Sequence, residues 1–350
     1  MPENRVIDYP IDLTLPAPPK GSSLMARSPR LIRLTAATTL LATGLLAAAC
    51  GGSDDSGSSG SSGGDRPRVG LVQINQQAIF FNEMNAGAQQ AAKEANVDLT
   101  IFNANDDAAK QNEAIDNFVQ QQFDAVIVVA IDVEGIKPAV KIAKDAGLKV
   151  VAVDAIVDAP EVDTQVGVDN AAAAQQAGDF VNKWAQAQGL TAPKIGVVGA
   201  LNSFIQNIRK DDFNKTVEAA GAKIVQTVDG QNKQEAAMTA AENLLTSRSD
   251  MNIVYATGEP ALLGTVAAVK SQNAADRVKV FGWDLTKEAI SGIDDGFVAG
   301  VVQQDPKTEG YEAVKEAKAL VGGAQAKKKI DVPVTIVTKD NVDPYRATFK

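Results

Sequence analysis

The chain contains no histidine, one cysteine and only 5% aromatic residues. Each scarcity closes off chemistry. Without histidine there is no Ser-His-Asp or Cys-His nucleophile, no imidazole metal ligand and no imidazole switch near neutral pH. A single cysteine permits neither an intrachain disulfide nor a cysteine-cluster zinc or iron–sulfur site. Basic residues are outnumbered 34 to 43, and the formal charge of −9 opposes nucleic-acid binding, which asks for a basic face. What is present is an ordinary globular balance, 45% hydrophobic and 22% charged over 350 residues. At roughly 150 residues per domain, that length suggests about two domains.

The N-terminus reads as an address. Residues 1–24 hold four prolines (Pro2, Pro16, Pro18, Pro19) without periodicity, and are expected to be disordered or an over-called start. Met25 opens a better signal: Arg27, Arg30 and Arg33, then the uncharged run LTAATTLLATGLLAAA (34–49), then Cys50. That is the order of a secretory signal. The uncharged run has 16 residues, short of the ~20 that a permanent membrane span needs. Cys50 after Ala47-Ala48-Ala49 is similar to a bacterial lipobox, although Ala47 stands where leucine is usual and Leu46 is one step further back. The resemblance implies acylation of Cys50 and anchoring to the outer face of the cell membrane; the plain alternative is a signal peptide with an incidental cysteine. Residues 51–65 form a Gly/Ser tether. Five acidic and five basic residues precede Asp65, so the charge of −9 belongs to the body.

From Arg68, apolar runs rich in Val and Ile alternate with stretches of helical periodicity. The strand candidates are VGLVQI (69–74), VDLTIF (97–102), DAVIVVA (124–130), LKVVAV (148–153), KIGVVG (194–199), KIVQTV (223–228), NIVYAT (252–257), KVFGW (279–283), VAGVVQ (298–303) and VPVTIV (332–337). Nearly continuous apolar runs suit strands buried on both faces, as in parallel sheets. Segments such as 82–95, 108–122 and 137–147 carry the helical pattern, and Gly147 and Gly221 stand where helix C-caps belong. Ten strands exceed one compact sheet, so the reading is α/β: two doubly wound parallel-sheet lobes with an interlobe cleft.

Open parallel sheets bind ligands beyond the carboxyl ends of their strands. The residues there are Gln76–Phe81 (including Gln77), Asn103–Asp107, Asp132 and Asp154, then Asn202–Arg209, Asp229–Asn232, Gly258–Glu259, Asp284 and Gln304. Carboxylates and amides bond vicinal hydroxyls in pairs, while an aromatic face covers the C–H face of a sugar ring, so the mixture suits a polyol. Several of these residues have plainer readings. Asp154 and Asp284 suit helix N-caps, and Arg209 suits a surface charge paired with Asp211 or Asp212. Trp283 fits the core as well as a stacking platform. Asp169-Asn170 suits a helix cap, residues 103–107 a turn, and Lys327–Lys329 a solvated loop. Phe80 and Phe81 are adjacent, so at least one should face the cleft. Gly196–Gly199 is only a fragment of a nucleotide-binding fingerprint.

The body resembles the type I periplasmic binding proteins, the ribose/galactose-type sugar receptors of ABC transporters. The residues that carry the resemblance are Phe80-Phe81 with Gly87-Ala88, Val153-Asp154, Gly167–Asn170 and Arg209 in the first part of the body. Further along come Asn243–Leu245, Glu259–Gly264, Phe281–Asp284 and Gln304–Pro306. The resemblance implies that Phe80 and Phe81 sandwich a sugar, while Asp154, Arg209, Asp284 and Gln304 bond its hydroxyls. Asn232 and Glu259 complete the expected ligand set, with Gln77, Asp132 and Trp283 as further candidates. Three places depart from the ribose pattern. Ala78-Ile79 replaces Asn-Pro, Ala155 replaces the Arg after Asp154, and Gly258-Glu259 replaces Asn-Asp. Glu259-Pro260 is nearer the fructose and polyol branch.

The expected protein is a monomeric lipoprotein that binds a small neutral carbohydrate or polyol without catalysis or cofactor and passes it to an ABC permease. Its lobes would be 66–168 with 305–331, and 169–304 with 332–350. A receptor module for a signalling furanose or nucleoside, feeding a sensor or chemotaxis partner, is the alternative. A transcriptional regulator would need a basic helix-turn-helix where the signal and tether stand. A hydrolase would need a nucleophile motif such as G-x-S-x-G.

Overall fold

The computed structural model describes residues 66–76 and 79–349. The signal segment, Cys50, the tether and Gln77 lie outside the described residues. The first half of the body runs β1 (Arg68–Gln73), α1 (Ile79–Ala95), β2 (Asp98–Asn103), α2 (Ala108–Gln120), β3 (Ala125–Val128), α3 (Lys137–Asp145), β4 (Lys149–Val153) and β5 (Thr164–Gly167). The second half runs α4 (Asn170–Ala187), β6 (Lys194–Gly199), α5 (Phe204–Ala219), β7 (Lys223–Asp229), α6 (Gln234–Ser247), β8 (Ile253–Ala256), α7 (Glu259–Ser271), β9 (Lys279–Trp283), α8 (Lys287–Asp294) and β10 (Val298–Gln303). The chain ends with α9 (Pro306–Val321), β11 (Lys329–Asp331), β12 (Thr335–Val337) and a 3₁₀ turn at Asp343–Tyr345. Among the described residues, no helix is long and apolar enough to cross a membrane.

The strands form two sheets, ordered β11-β5-β4-β3-β1-β2 and β12-β10-β9-β8-β6-β7. Every pairing in the first is parallel, and in the second only β10–β12 is antiparallel. Helices cover both faces of each sheet, which is why the central strands are buried along their whole length. The edge strands β2 and β7 instead alternate between exposed and partly buried residues. Apolar clusters lie on either face of the first sheet, one around Leu71, Met84 and Val314 and one around Ile115 and Val140. The second sheet is covered likewise, by clusters around Leu244 and Val269 and around Phe213 and Trp283.

The architecture is the one the sequence predicts, with differences at three strands. The segment Thr164–Gly167 is a strand although TQVG is too short and polar to stand out. The run 332–337, expected as a single strand, is a strand only from Thr335, after Pro333, and Lys329–Asp331, whose Lys329 was expected in a solvated loop, forms β11 with Lys329 paired to Asp169 (2.8 Å). Proline has no N–H to donate to a ladder. β11 closes the edge of the first sheet, and the Val332 N–H still donates to the Gly167 carbonyl (2.9 Å). Three residues past Val332 the chain is already in the second sheet, as β12. The polypeptide therefore passes between the sheets after β5, after β10 and after β11.

α9 returns from the second sheet to pack along α1, and two glycines set how closely. A Cβ on Gly87 would collide with the Lys307 carbonyl, and one on Gly310 with that of Met84. Overpacking of this kind typically costs about 1–3 kcal/mol. Gly87→Ala and Gly310→Ala should each lower the urea midpoint accordingly; an unchanged midpoint in both would refute the close crossing.

Candidate functional site

Asp154 and Asp284 occupy matching places, each just past the end of a central strand. The Asp154 N–H donates to the Val166 carbonyl (3.0 Å) and the Asp284 N–H to that of Val302 (2.9 Å), each on the neighbouring strand. Both adopt left-handed backbone, at φ 61° and 64°. That region costs a non-glycine residue roughly 1–2 kcal/mol and turns the side chain away from the path a helix would take. Neither acts as a cap: α8 is capped by Thr286, whose hydroxyl accepts from the Ala289 N–H (3.1 Å).

Arg209 faces inward from α5 and is only 5% exposed. Nε donates to Asn170 Oδ1 (2.8 Å), a terminal nitrogen donates to the Thr257 carbonyl (3.4 Å), and Asp284 Oδ2 lies 3.7 Å away. The guanidinium carbon sits 3.7 Å above the Trp283 ring. Pairing with Asp211 or Asp212 is thereby set aside. Trp283 is wholly buried, donating from Nε1 to the Tyr255 hydroxyl (2.7 Å), and Tyr255 stacks on Phe213 at 3.6 Å. It is the floor beneath Arg209 and has no surface to offer a ligand.

Gln304, the residue directly after β10, donates from Nε2 to Asp284 Oδ1 (2.8 Å). Asn232, also left-handed (φ 56°), accepts from Gln206 Nε2 (2.7 Å), and Gln206 Oε1 accepts the Thr257 hydroxyl (2.7 Å). Gln206 and Thr257 are buried links that strand-end reading alone did not single out. Asn170, expected as part of a cap, instead anchors Arg209, while Asp169 caps α4 through the Ala172 N–H (3.0 Å).

A cavity of about 610 Å³ opens at these strand ends, lined among others by Phe80, Glu83, Glu259, Asp284 and Gln304. That is within the usual span for small-molecule sites, about 300–1,000 Å³. Phe80 and Phe81 meet edge to face, centroids 5.3 Å apart, each partly buried against the first sheet's core. Phe80 is the one that lines the cavity. Glu259, at the start of α7, is exposed toward this space. Asp154, Arg209 and Asn232 lie outside the cavity wall: Arg209 reaches it through Asp284, Asn232 is tied by Gln206 to Thr257, and Asp154 feels the charges of Arg209 and Asp284. Asp132 is not brought in: it is exposed, and one oxygen accepts the N–H groups of Glu134 (3.0 Å) and Gly135 (2.9 Å) in a turn.

The acids outnumber the one guanidinium among them. Burial pushes Asp154 up to about 6, with Arg209 opposing and Asp284 adding to the rise. Asp284 is also raised by burial, against the pull of Arg209 and the Gln304 bond. Glu259 rises through partial desolvation and then the charges of Asp284 and Glu288. A further acid, Glu309 in the first turn of α9, is fully buried, and neither oxygen has a hydrogen-bond partner. The sequence does carry a sign of it, since Glu309 falls on the buried stripe of α9 with Pro306, Gly310, Ala313 and Ala317. Among the described residues, no three acidic or cysteine side chains are arranged to hold a metal.

Comparison with known proteins follows the same lines. Residues 69–325 match the model described as periplasmic binding protein domain. The chain belongs to the periplasmic binding protein family. The ribose import binding protein of Bacillus subtilis (strain 168) is 26% identical over 260 residues, covering 74% of this chain and 83% of that one. The xylitol-binding protein of Mycolicibacterium smegmatis is 26% identical over 280 residues, covering 80% and 79%. The structure of an arabinose binding protein from Geobacillus stearothermophilus superposes with a TM-score of 0.73 at 20% identity, over 80% of this chain and 99% of that one. This likeness concerns the fold.

The raised acid makes a stability prediction. With Asp154 at about 6 when folded and near 3.9 unfolded, the folded chain holds an extra proton between about pH 4 and 6. The ionised form therefore costs stability above that window, and the cost disappears as pH falls through it. Asp154→Asn should stabilise the ligand-free protein by roughly 1–3 kcal/mol at pH 7 and by much less at pH 4. Urea denaturation at the two pH values measures the difference; equal effects at both would contradict the assignment.

Proposed function

We propose that this protein is the solute receptor of an ABC importer and binds a small neutral sugar or polyol between its two lobes. The observation that carries the reading is the pair of left-handed aspartates, one at the end of a central strand in each sheet, acting on one buried arginine. Ionised carboxylates accept two hydroxyls each, and Gln304, Asn232 and Glu259 add amide and carboxylate groups beside them. Phe80, braced edge to face by Phe81, supplies aromatic surface for a ring's C–H face. The names of the relatives, ribose, xylitol and arabinose binders, support this class of ligand. The family's role is transport rather than catalysis, and family membership implies a location outside the cytoplasm.

In this reading the lobes comprise 66–168 with 305–331, and 169–304 with 332–350. Closure buries the ligand, and its contacts with both lobes shift the population toward the closed form that the permease recognises. The protein acts as a monomer, tethered through acylated Cys50 and the Gly/Ser segment. Replacement of Cys50 by Ser should abolish incorporation of labelled palmitate and release the protein from membranes; retained label would exclude the anchor.

A thermal-shift screen of residues 66–350 against pentoses, hexoses, polyols, nucleosides and amino acids tests the ligand class. A ligand present at 100 times its dissociation constant adds about 2.7 kcal/mol, a shift of several degrees. The expected outcome is a shift with a sugar or polyol that Asp154→Ala and Asp284→Ala remove. A shift confined to nucleosides or amino acids would keep the fold and sink the carbohydrate reading.

A further inference from the structure

Glu309 is the acid that the proposed contacts leave unused. Its side chain is 0% exposed, and both carboxyl oxygens lack a hydrogen-bond partner. A buried ionised carboxylate without partners is among the costliest groups a protein can hold, so such a group retains its proton. Its position also matters. α9 begins directly after the chain leaves the second sheet, and Glu309 lies in that first turn, its N–H donating to the Asp305 carbonyl (3.0 Å).

The charges around it come from several elements. Asp154 at the end of β4 acts on it most strongly, followed by Asp284 beyond β9 and Asp305 in its own turn, while Arg209 on α5 opposes them. From α1, Glu83 lines the nearby cavity, whereas Glu94 is engaged at the far end by the Tyr311 hydroxyl (2.6 Å). β3 and β5 carry no charged residue, and the guanidinium of Arg68 on β1 lies over the Phe123 ring at the opposite end of the strand. Three acids thus share one guanidinium. With a proton on Glu309, the balance is Asp154 and Asp284 against Arg209. Without it, a third negative charge joins in low dielectric, where each like charge is strongly felt.

We infer that Glu309 is a positioning residue of the ligand site, a buried neutral acid whose proton keeps Asp154 and Asp284 matched to Arg209 and free to accept ligand hydroxyls. The inference rests on the sugar-receptor reading for its ligand but not for its charge state. Loss of the proton drives the aspartates to take protons themselves or to part, and either change removes acceptors from the ligand. Ligand affinity should therefore fall on the alkaline side as Glu309 ionises, in addition to any acid-side loss from Asp154.

Two measurements on the full chain, with Glu309→Gln and Glu309→Met, test this. The first needs no ligand. Because the acid's folded pKa is raised, it adds stability that is present at low pH and lost as pH rises. Thermal midpoints between about pH 5 and 9 should show both variants gaining on the wild type as pH rises; a gap that stays constant overturns the inference. The second is calorimetric titration with D-ribose and with xylitol at the same pH values. The wild type should lose affinity as pH rises, by at most about tenfold per pH unit for one linked proton, and both variants should stay flat. An alkaline loss shared by wild type and variants, or absent from all three, overturns the inference. If neither sugar binds at any pH, it is the ligand reading that fails, and the stability gap alone decides whether Glu309 is a neutral acid.

Discussion

One guanidinium holds the centre of this molecule. Arg209 is buried over an indole, tied to Asn170 and Thr257, and close to Asp284. A charge so placed needs compensation, and the compensating carboxylates need the charge in return. The surroundings are built to keep it still: Trp283 below is pinned by Tyr255, and Tyr255 by Phe213. α4 contributes through Asn170, β8 through the carbonyl just past its end, and α5 carries the arginine itself. Removal of the guanidinium would leave buried acids facing one another.

The two aspartates are related by the architecture. Each sheet is a doubly wound unit with its own central strands, and each places one aspartate just past a strand end with the same left-handed backbone. The strain has no structural use as a cap or turn closure, since neither aspartate caps a helix. One of the two, Asp284, lies 3.7 Å from Arg209, and the other, Asp154, feels the charge of the same arginine, so each sheet contributes one acid to that guanidinium's surroundings.

Much of this was legible in the sequence because parallel strands write themselves as apolar runs, and their ends are then easy to count. Asp154, Asp284 and Gln304 could be placed at strand ends for that reason, and Arg209 near one. β5 was missed because four residues, two of them polar, give no run to recognise, and β11 because Lys329-Ile330-Asp331 carries a single apolar residue; β12 was started three residues early because Val332 and Val334 extend its apolar run. The links that hold the site, Gln206 to Asn232 and Asn170 to Arg209, join residues 26 and 39 positions apart and have no local pattern. Trp283 could be read either as core or as platform until its burial was known. Glu309 sits where helical periodicity calls for an apolar residue, so it should have been read as an exception to that pattern.

Sheet order also governs leverage. The passages between the sheets adjoin β5 and β11 on one side and β10 and β12 on the other, which is one end of each sheet. Any rotation of one sheet against the other pivots there, and displacement grows with distance across the strands. Asp154, Asp284 and Gln304 follow strands at or next to that pivot. Phe80 follows β1, and the exposed Leu201 and Phe204 (69% accessible) follow β6; both strands lie three places away, about 14 Å at the usual ~4.8 Å strand spacing. A modest rotation therefore sweeps the aromatic rim through several times the path travelled by the polar groups. In the closure proposed above, the polar groups lie by the joint and the apolar rim travels furthest.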